Sequence, residues 1–116
     1  MLPAASRMRR STDFTAVVRG GIRVRGGSLV VHHRPDLAPE PTAAPRVGLV
    51  VGKSVGGSVV RHAVSRRLRA QLAARLSALP AGSGTVVRAM PEAADASSAL
   101  LGRHLDQAFD KLAARR

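Results

Sequence analysis

The sequence predicts one α+β domain over residues 1–116, an α-β sandwich with its elements in the order α-β-β-β-α-β-α. Three observations predict it. Apolar spacing switches along the chain between short β-branched runs and helical periods, the longest of them over 58–78 and 95–114. A chain of 116 residues has the length of one domain. Hydrophobic residues make up 45% of it, enough to bury a modest core.

The elements follow in order. Ser11 has the chemistry of an N-cap for a short helix over 12–19, on which Phe14, Val17 and Val18 share a face. Gly20-Gly21 ends that helix. Residues 22–33 read as extended, and Gly26-Gly27 divides them, which predicts a hairpin or a bulged pair. Four prolines make 34–45 a loop. Residues 47–51 are a short buried strand, followed by a glycine-rich link over 52–57. From 58 to about 78 the period turns helical through Val60, Val64, Leu68, Leu72 and Leu76, until Pro80, Gly82 and Gly84 break it. A last strand over 85–89 is stopped by Pro91. A last helix over 95–114 lines up Leu101, Leu105, Ala108, Phe109 and Leu112 on its apolar side. The strand near 46–51, the 58–78 helix and the 85–89 strand form a β-α-β crossover.

Charge points to the partner. Nineteen Lys and Arg stand against seven Asp and Glu, a formal net charge of +12, and only Lys53 and Lys111 of the nineteen are lysine. So strong a positive balance on a small body calls for a polyanion. Arginine, with its planar fork of donors, suits phosphate. Residues 1–35 carry seven arginines and one acid, and residues 46–75 carry seven cations and no acid. The part from 76 onward is nearly balanced, with five cations and four acids.

Other classes are excluded. Without cysteine there is no disulfide and no cysteine zinc site, which suits the cytoplasm. No apolar run approaches the ~20 residues of a membrane span, and the opening residues lack the apolar core of a secretory signal. Gly52-Lys53-Ser54 resembles the tail of a phosphate-binding loop, but Val47 stands where the leading glycine would be. The four histidines have no ligand spacing, and no metal site or catalytic residue is assigned to the protein.

The 58–78 helix carries the chemistry. On a wheel of about 100° per residue, Val60, Val64, Leu68 and Leu72 span about 120°, and His62, Arg66 and Arg69 form a stripe about 60° wide roughly opposite. Arg61 lies between stripe and core, and Arg67 flanks the other side. Solvated helix faces mix charge signs and pair them at i,i+4, whereas this one has no acid to pair with. Gly56, Gly57 and Ser58 leave free N–H groups at the helix start, with Lys53 beside them, an anion-binding arrangement.

These residues resemble a known family. Arg46-Val47-Gly48-Leu49, then Gly52-Lys53-Ser54-Val55-Gly56-Gly57-Ser58-Val59-Val60-Arg61-His62 and on to Arg69, is similar to the signature of the bacterial ribonuclease P protein family. Arg7-Met8-Arg9-Arg10 before Asp13-Phe14 resembles the family's opening, and Val86-Val87-Arg88-Ala89 with Pro91 its last strand. The resemblance implies the family's sandwich with a left-handed β-α-β crossover. It implies a protein that assists a catalytic RNA in removing the 5′ leader of precursor tRNA, with active site and Mg2+ on the RNA and no cofactor held by the protein. The implied partners are that RNA and precursor tRNA, with no membrane and no small-molecule substrate. The resemblance implies RNA binding by Arg61, Arg66 and Arg69, which match the family's basic helix positions, and by Lys53 in the loop before them; His62 and Arg67 on the same helix and Arg9 and Arg10 of the opening cluster are read as RNA-binding with them, and Phe14, Val18 and His32 as lining the leader cleft. The chain departs from the pattern at His62 (Asn is usual), Ala63 (Arg), Ser65 (Lys) and Arg67 (apolar), and Val18 and His32 stand where Phe and Tyr are frequent. A ribosomal or ribosome-assembly RNA-binding protein would share the charge and size but not the 46–69 motif. A protein of anionic membranes would need an apolar insertion face that so small a core cannot spare.

Overall fold

The structure, a computed structural model, describes residues 2–115. The elements are α1 (Ser11–Gly20), β1 (Ile22–Gly26), β2 (Leu29–Arg34), β3 (Arg46–Val50), α2 (Ser58–Ala73), β4 (Gly84–Ala89) and α3 (Ser98–Ala114), the predicted order. Three 3-10 turns join them, at Ala4–Ser6, Leu76–Ala78 and Pro91–Asp95. The break read at Gly26-Gly27 is a hairpin turn at Gly27-Ser28 between β1 and β2, with Gly27 at φ 51°, where a side chain is strained. Sheet order is β1-β2-β4-β3. β2 and β4 pair antiparallel, whereas β3 and β4 pair parallel, which completes the β-α-β crossover through α2.

Side chains alternate across this sheet and divide it into two faces. One face sets Val24, Leu29, Val31, Val47 and Val87 against Val64, Leu68 and Leu72 of α2 and Leu101, Leu105 and Leu112 of α3. His33 belongs to this side and bonds Thr85 of β4 through Nδ1 and Oγ1 at 2.9 Å. α3 presses on the hairpin so closely that a Cβ on Gly26 would collide with the His104 carbonyl and come within 2.9 Å of the Ala108 nitrogen. There His104 Nδ1 accepts the Ser28 backbone N–H at 3.2 Å. On the other face α1 covers only part of the sheet, with Val17 on Val86 and Phe14 beside Met8. Gly48 lies under the Phe14 ring, which an added Cβ would approach to 2.5 Å.

Several boundaries differ from the sequence reading. Ser11 is inside α1 and Arg10 is the cap residue, without a side-chain bond, because the Asp13 and Phe14 N–H groups both reach the Arg10 carbonyl. α2 stops at Ala73 instead of 78. Its end tightens as the Arg75 N–H bonds the Leu72 carbonyl, and the Arg75 guanidinium folds onto Gln71 and Asp106. Val60 is 37% exposed, so the buried stripe of α2 begins at Val64. The last helix starts at Ser98 and not at 95, because Pro91–Asp95 closes its own 3-10 turn. Ser97 then caps α3, its Oγ accepting the Leu100 N–H at 3.1 Å.

Gly26→Ala is expected to lower the unfolding free energy by about 2–3 kcal/mol, because the colliding atoms are α3 backbone and cannot rotate away. Gly52→Ala, with open space around it, is expected to cost under about 1 kcal/mol in the same urea titration.

Candidate RNA interface

Burial of Val64, Leu68 and Leu72 turns the opposite side of α2 outward. His62, Arg66 and Arg69 are exposed there, as the wheel predicts, and Arg61 and Arg67 are half-buried at its margins. Arg67 Nη1 donates to the Ala96 carbonyl at 3.3 Å, so this residue also ties α2 to the approach of α3. Arg61 Nε is buried without a hydrogen-bond partner. The N-terminus of α2 has Gly57 as cap residue, no side-chain cap and no acid in its first turn. Exposed Lys53 stands on the turn before it, and Val59 is 82% exposed within the first turn. The helix therefore offers uncapped N–H groups and cations together.

The first basic segment meets this helix at the β3 edge of the sheet. The Met8 N–H donates to the Val47 carbonyl at 2.9 Å and lays residues 7–8 alongside β3. That contact gathers Arg7, Arg9, Arg10 and Arg46 around an open cavity of about 460 Å³. Asp13 is the one acid on its wall, and it pairs with Arg46 at 3.4 Å. A smaller cavity of about 200 Å³, lined among others by Arg7, Phe14 and Arg69, connects this cluster to the α2 stripe. Two blocks of charge, separated in sequence by the proline loop, thus form one surface.

The uncovered half of the sheet lies beyond α1. One row across the strands runs Gly48, Val86, His32, Arg23, and the next runs Val50, Arg88, Val30, Arg25. Phe14 stands over the Gly48 end of the first row, and Val18, one helical turn on, is 43% exposed. His32 lies in that row with Val86 between it and Gly48, so the three cleft residues share one face. Phe14 is half-buried, and His32 is 9% exposed. Burial, and then the positive charges of Arg23 and Arg88, hold the His32 pKa below the ordinary 6.5. Arg7, Arg46, Arg23, Arg25 and Arg88 are cationic residues of this surface that the sequence reading left unassigned. The period-two spacing of Arg23 and Arg25 was the available signal for one exposed strand face.

Among the described residues no group of three or more His, Cys, Asp or Glu is placed to hold a metal ion. No helix among them is long and apolar enough to cross a membrane.

A sequence profile of the ribonuclease P family matches residues 2–113. The chain belongs to the ribonuclease P protein family. It is similar to the ribonuclease P protein component of Salinispora tropica, 50% identical over 94% of this chain and 91% of that one. The component of Streptomyces griseus is likewise 50% identical, over 97% of this chain and 95% of that one. Among solved structures, the RNase P protein of Staphylococcus aureus superimposes with a TM-score of 0.81 at 22% identity, covering 93% of this chain and 95% of that one. At that identity the likeness carries the fold, the same α+β sandwich.

RNA binding through this surface is expected to depend on salt. Arg66→Ala is expected to weaken RNA binding and to flatten the plot of log affinity against log salt by about 0.7–0.9 for the lost phosphate contact. Arg103→Ala, exposed on α3 and outside the residues gathered at that surface, is expected to leave the slope unchanged. Filter binding across a salt series reads both.

Proposed function

We propose that this chain serves as the protein subunit of ribonuclease P through two joined surfaces. The α2 stripe and the N-terminal arginines grip the catalytic RNA. The cleft between α1 and the open half of the sheet holds the single-stranded 5′ leader of precursor tRNA. As a member of the family it is a component of a ribonucleoprotein endoribonuclease of tRNA processing, and its partner is RNA. The observation that carries the reading is the junction at Arg7, Phe14 and Arg69, where the two basic segments meet beside the cleft. A body that neutralises phosphates on both RNAs at once lowers the repulsion between them and raises their encounter.

The hydrolytic step in this reading belongs to the RNA and its Mg2+, and the protein holds no cofactor. What the protein's own residues do is bind and position. Lys53 and the N-terminal end of α2 receive phosphate oxygens, Arg61, Arg66 and Arg69 line one strand of the RNA, and Arg9 and Arg10 extend the contact toward the leader. The working compartment is the cytoplasm, where precursor tRNA is made.

Purified protein is expected to restore cleavage of precursor tRNA by its cognate RNA at Mg2+ too low for the RNA alone. Protein that neither binds that RNA nor alters cleavage contradicts the reading. The cleft offers one aromatic ring, and Val18 leaves room for a second. Val18→Phe is therefore expected to improve affinity for leader-bearing over leaderless precursor by about 1 kcal/mol, the low end of one stacked base.

A further inference from the structure

Four arginines stand near His32 on the same face of the sheet, and they are not equivalent. Arg25 pairs with Glu92 at 3.2 Å and Arg34 pairs with Asp36 at 3.1 Å. Arg23 and Arg88 have no side-chain hydrogen bond or ion pair among the described residues. These two flank His32, Arg23 directly across from it on β1 and Arg88 diagonal to it on β4. His32 is nine-tenths buried between them, and its Nδ1 is shielded from solvent with no hydrogen-bond partner. An imidazole nitrogen left so, between two uncompensated cations, is costly in the isolated protein.

No acid relieves the group. Asp13, on α1, is engaged with Arg46, and the Glu92 and Asp36 carboxylates are taken by the outer arginines. His33, next on β2, faces the opposite side of the sheet. At the β1 edge Lys111 and Arg115 of the α3 end add further positive charge beside Arg23. Every charged neighbour left unpaired around His32 is a cation, and burial and these charges together disfavour the imidazolium in the free protein.

We propose that Arg23, His32 and Arg88 form a seat for one phosphodiester of the bound single strand, and that His32 takes up a proton from solvent as the phosphate enters. This rests on the reading of the cleft as the leader site. The phosphate brings the negative charge that Arg23 and Arg88 lack and offsets the repulsion that, after burial, opposes protonation of the imidazole. The sign follows from linkage. The complex binds one more proton than the free partners, so affinity rises as pH falls through the bound-state pKa of His32 and is lost as pH rises through it. A tyrosine in this place would stack without titrating over that range, and the histidine makes the grip depend on proton concentration.

The probe is a short oligouridylate, whose bases do not titrate near neutrality, bound to the full chain at constant ionic strength. Affinity is expected to rise about tenfold from about pH 8 to about pH 5.5. His32→Gln is expected to reduce that rise to under about twofold. An oligouridylate with a neutral methylphosphonate backbone is expected to show no rise. In the unmodified protein, the His32 ring resonance is expected to titrate at higher pH in the complex than in the free state, a readout that needs no variant. A full rise in His32→Gln, an equal rise with the neutral backbone, or an unmoved His32 titration overturns the proposal. A chain that restores precursor cleavage yet binds oligouridylate without pH dependence, or not at all, also overturns it and leaves the leader-cleft reading of the fold standing. A chain that does neither overturns the reading beneath it.

Discussion

The RNA surface depends on the seating of α2. Three side chains of that helix, Val64, Leu68 and Leu72, are fully buried against the sheet and α3. Each contributes about 1.5–3 kcal/mol by leaving water. Crowding cations on the opposite face costs only a few tenths of a kcal/mol per close pair. The hydrophobic contribution therefore wins, and the helix tolerates an acid-free face with no counter-charge of its own. The parallel pairing of β3 with β4 enforces the same outcome, since the chain between them has to cross the sheet.

The few acids of the chain reinforce this division. Asp36, Glu92, Asp13 and Asp106 each pair with an arginine away from the α2 stripe. The Arg75–Asp106 pair, at 2.7 Å, clips the end of α2 to α3 and holds the Asp106 carboxyl below its usual pKa through that hydrogen bond. With its Asp106 side open to solvent, the pair contributes no more than about 1 kcal/mol. Its larger effect is geometric, because it turns Arg75 away from the stripe that Arg66 and Arg69 extend. What remains unpaired is concentrated where a polyanion can reach it, and binding relieves repulsion that folding by itself leaves in place.

Much of the site was legible as periodicity. The spacing of Val64, Leu68 and Leu72 by four residues placed Arg66 and Arg69 outward, and the structure agrees. The same reasoning overextended at both ends of α2. Periodicity does not register that Val60 stays exposed, or that Arg75 finds an acceptor on another helix. The start of α3 was misplaced for a local reason. Ser97 and Ser98 are ordinary cap residues, and the stretch before them is helical enough in composition to hide the separate 3-10 turn.

Composition and spacing alone determined the class of fold, the sign and location of the charge, and the family signature over 46–69, because each of these is carried by residue types at fixed separations along one element. Only the tertiary structure decided which charges act together. Arg7 reaches Arg69 because residues 7–8 pair with the edge of β3, and Arg23 and Arg88 enclose His32 because strand register, a property of two chain segments at once, sets them on neighbouring strands. Hydrogen bonding between distant backbones has no signal in local periodicity, so the joined basic surface and the histidine between unpaired arginines became visible only when the sheet was assembled.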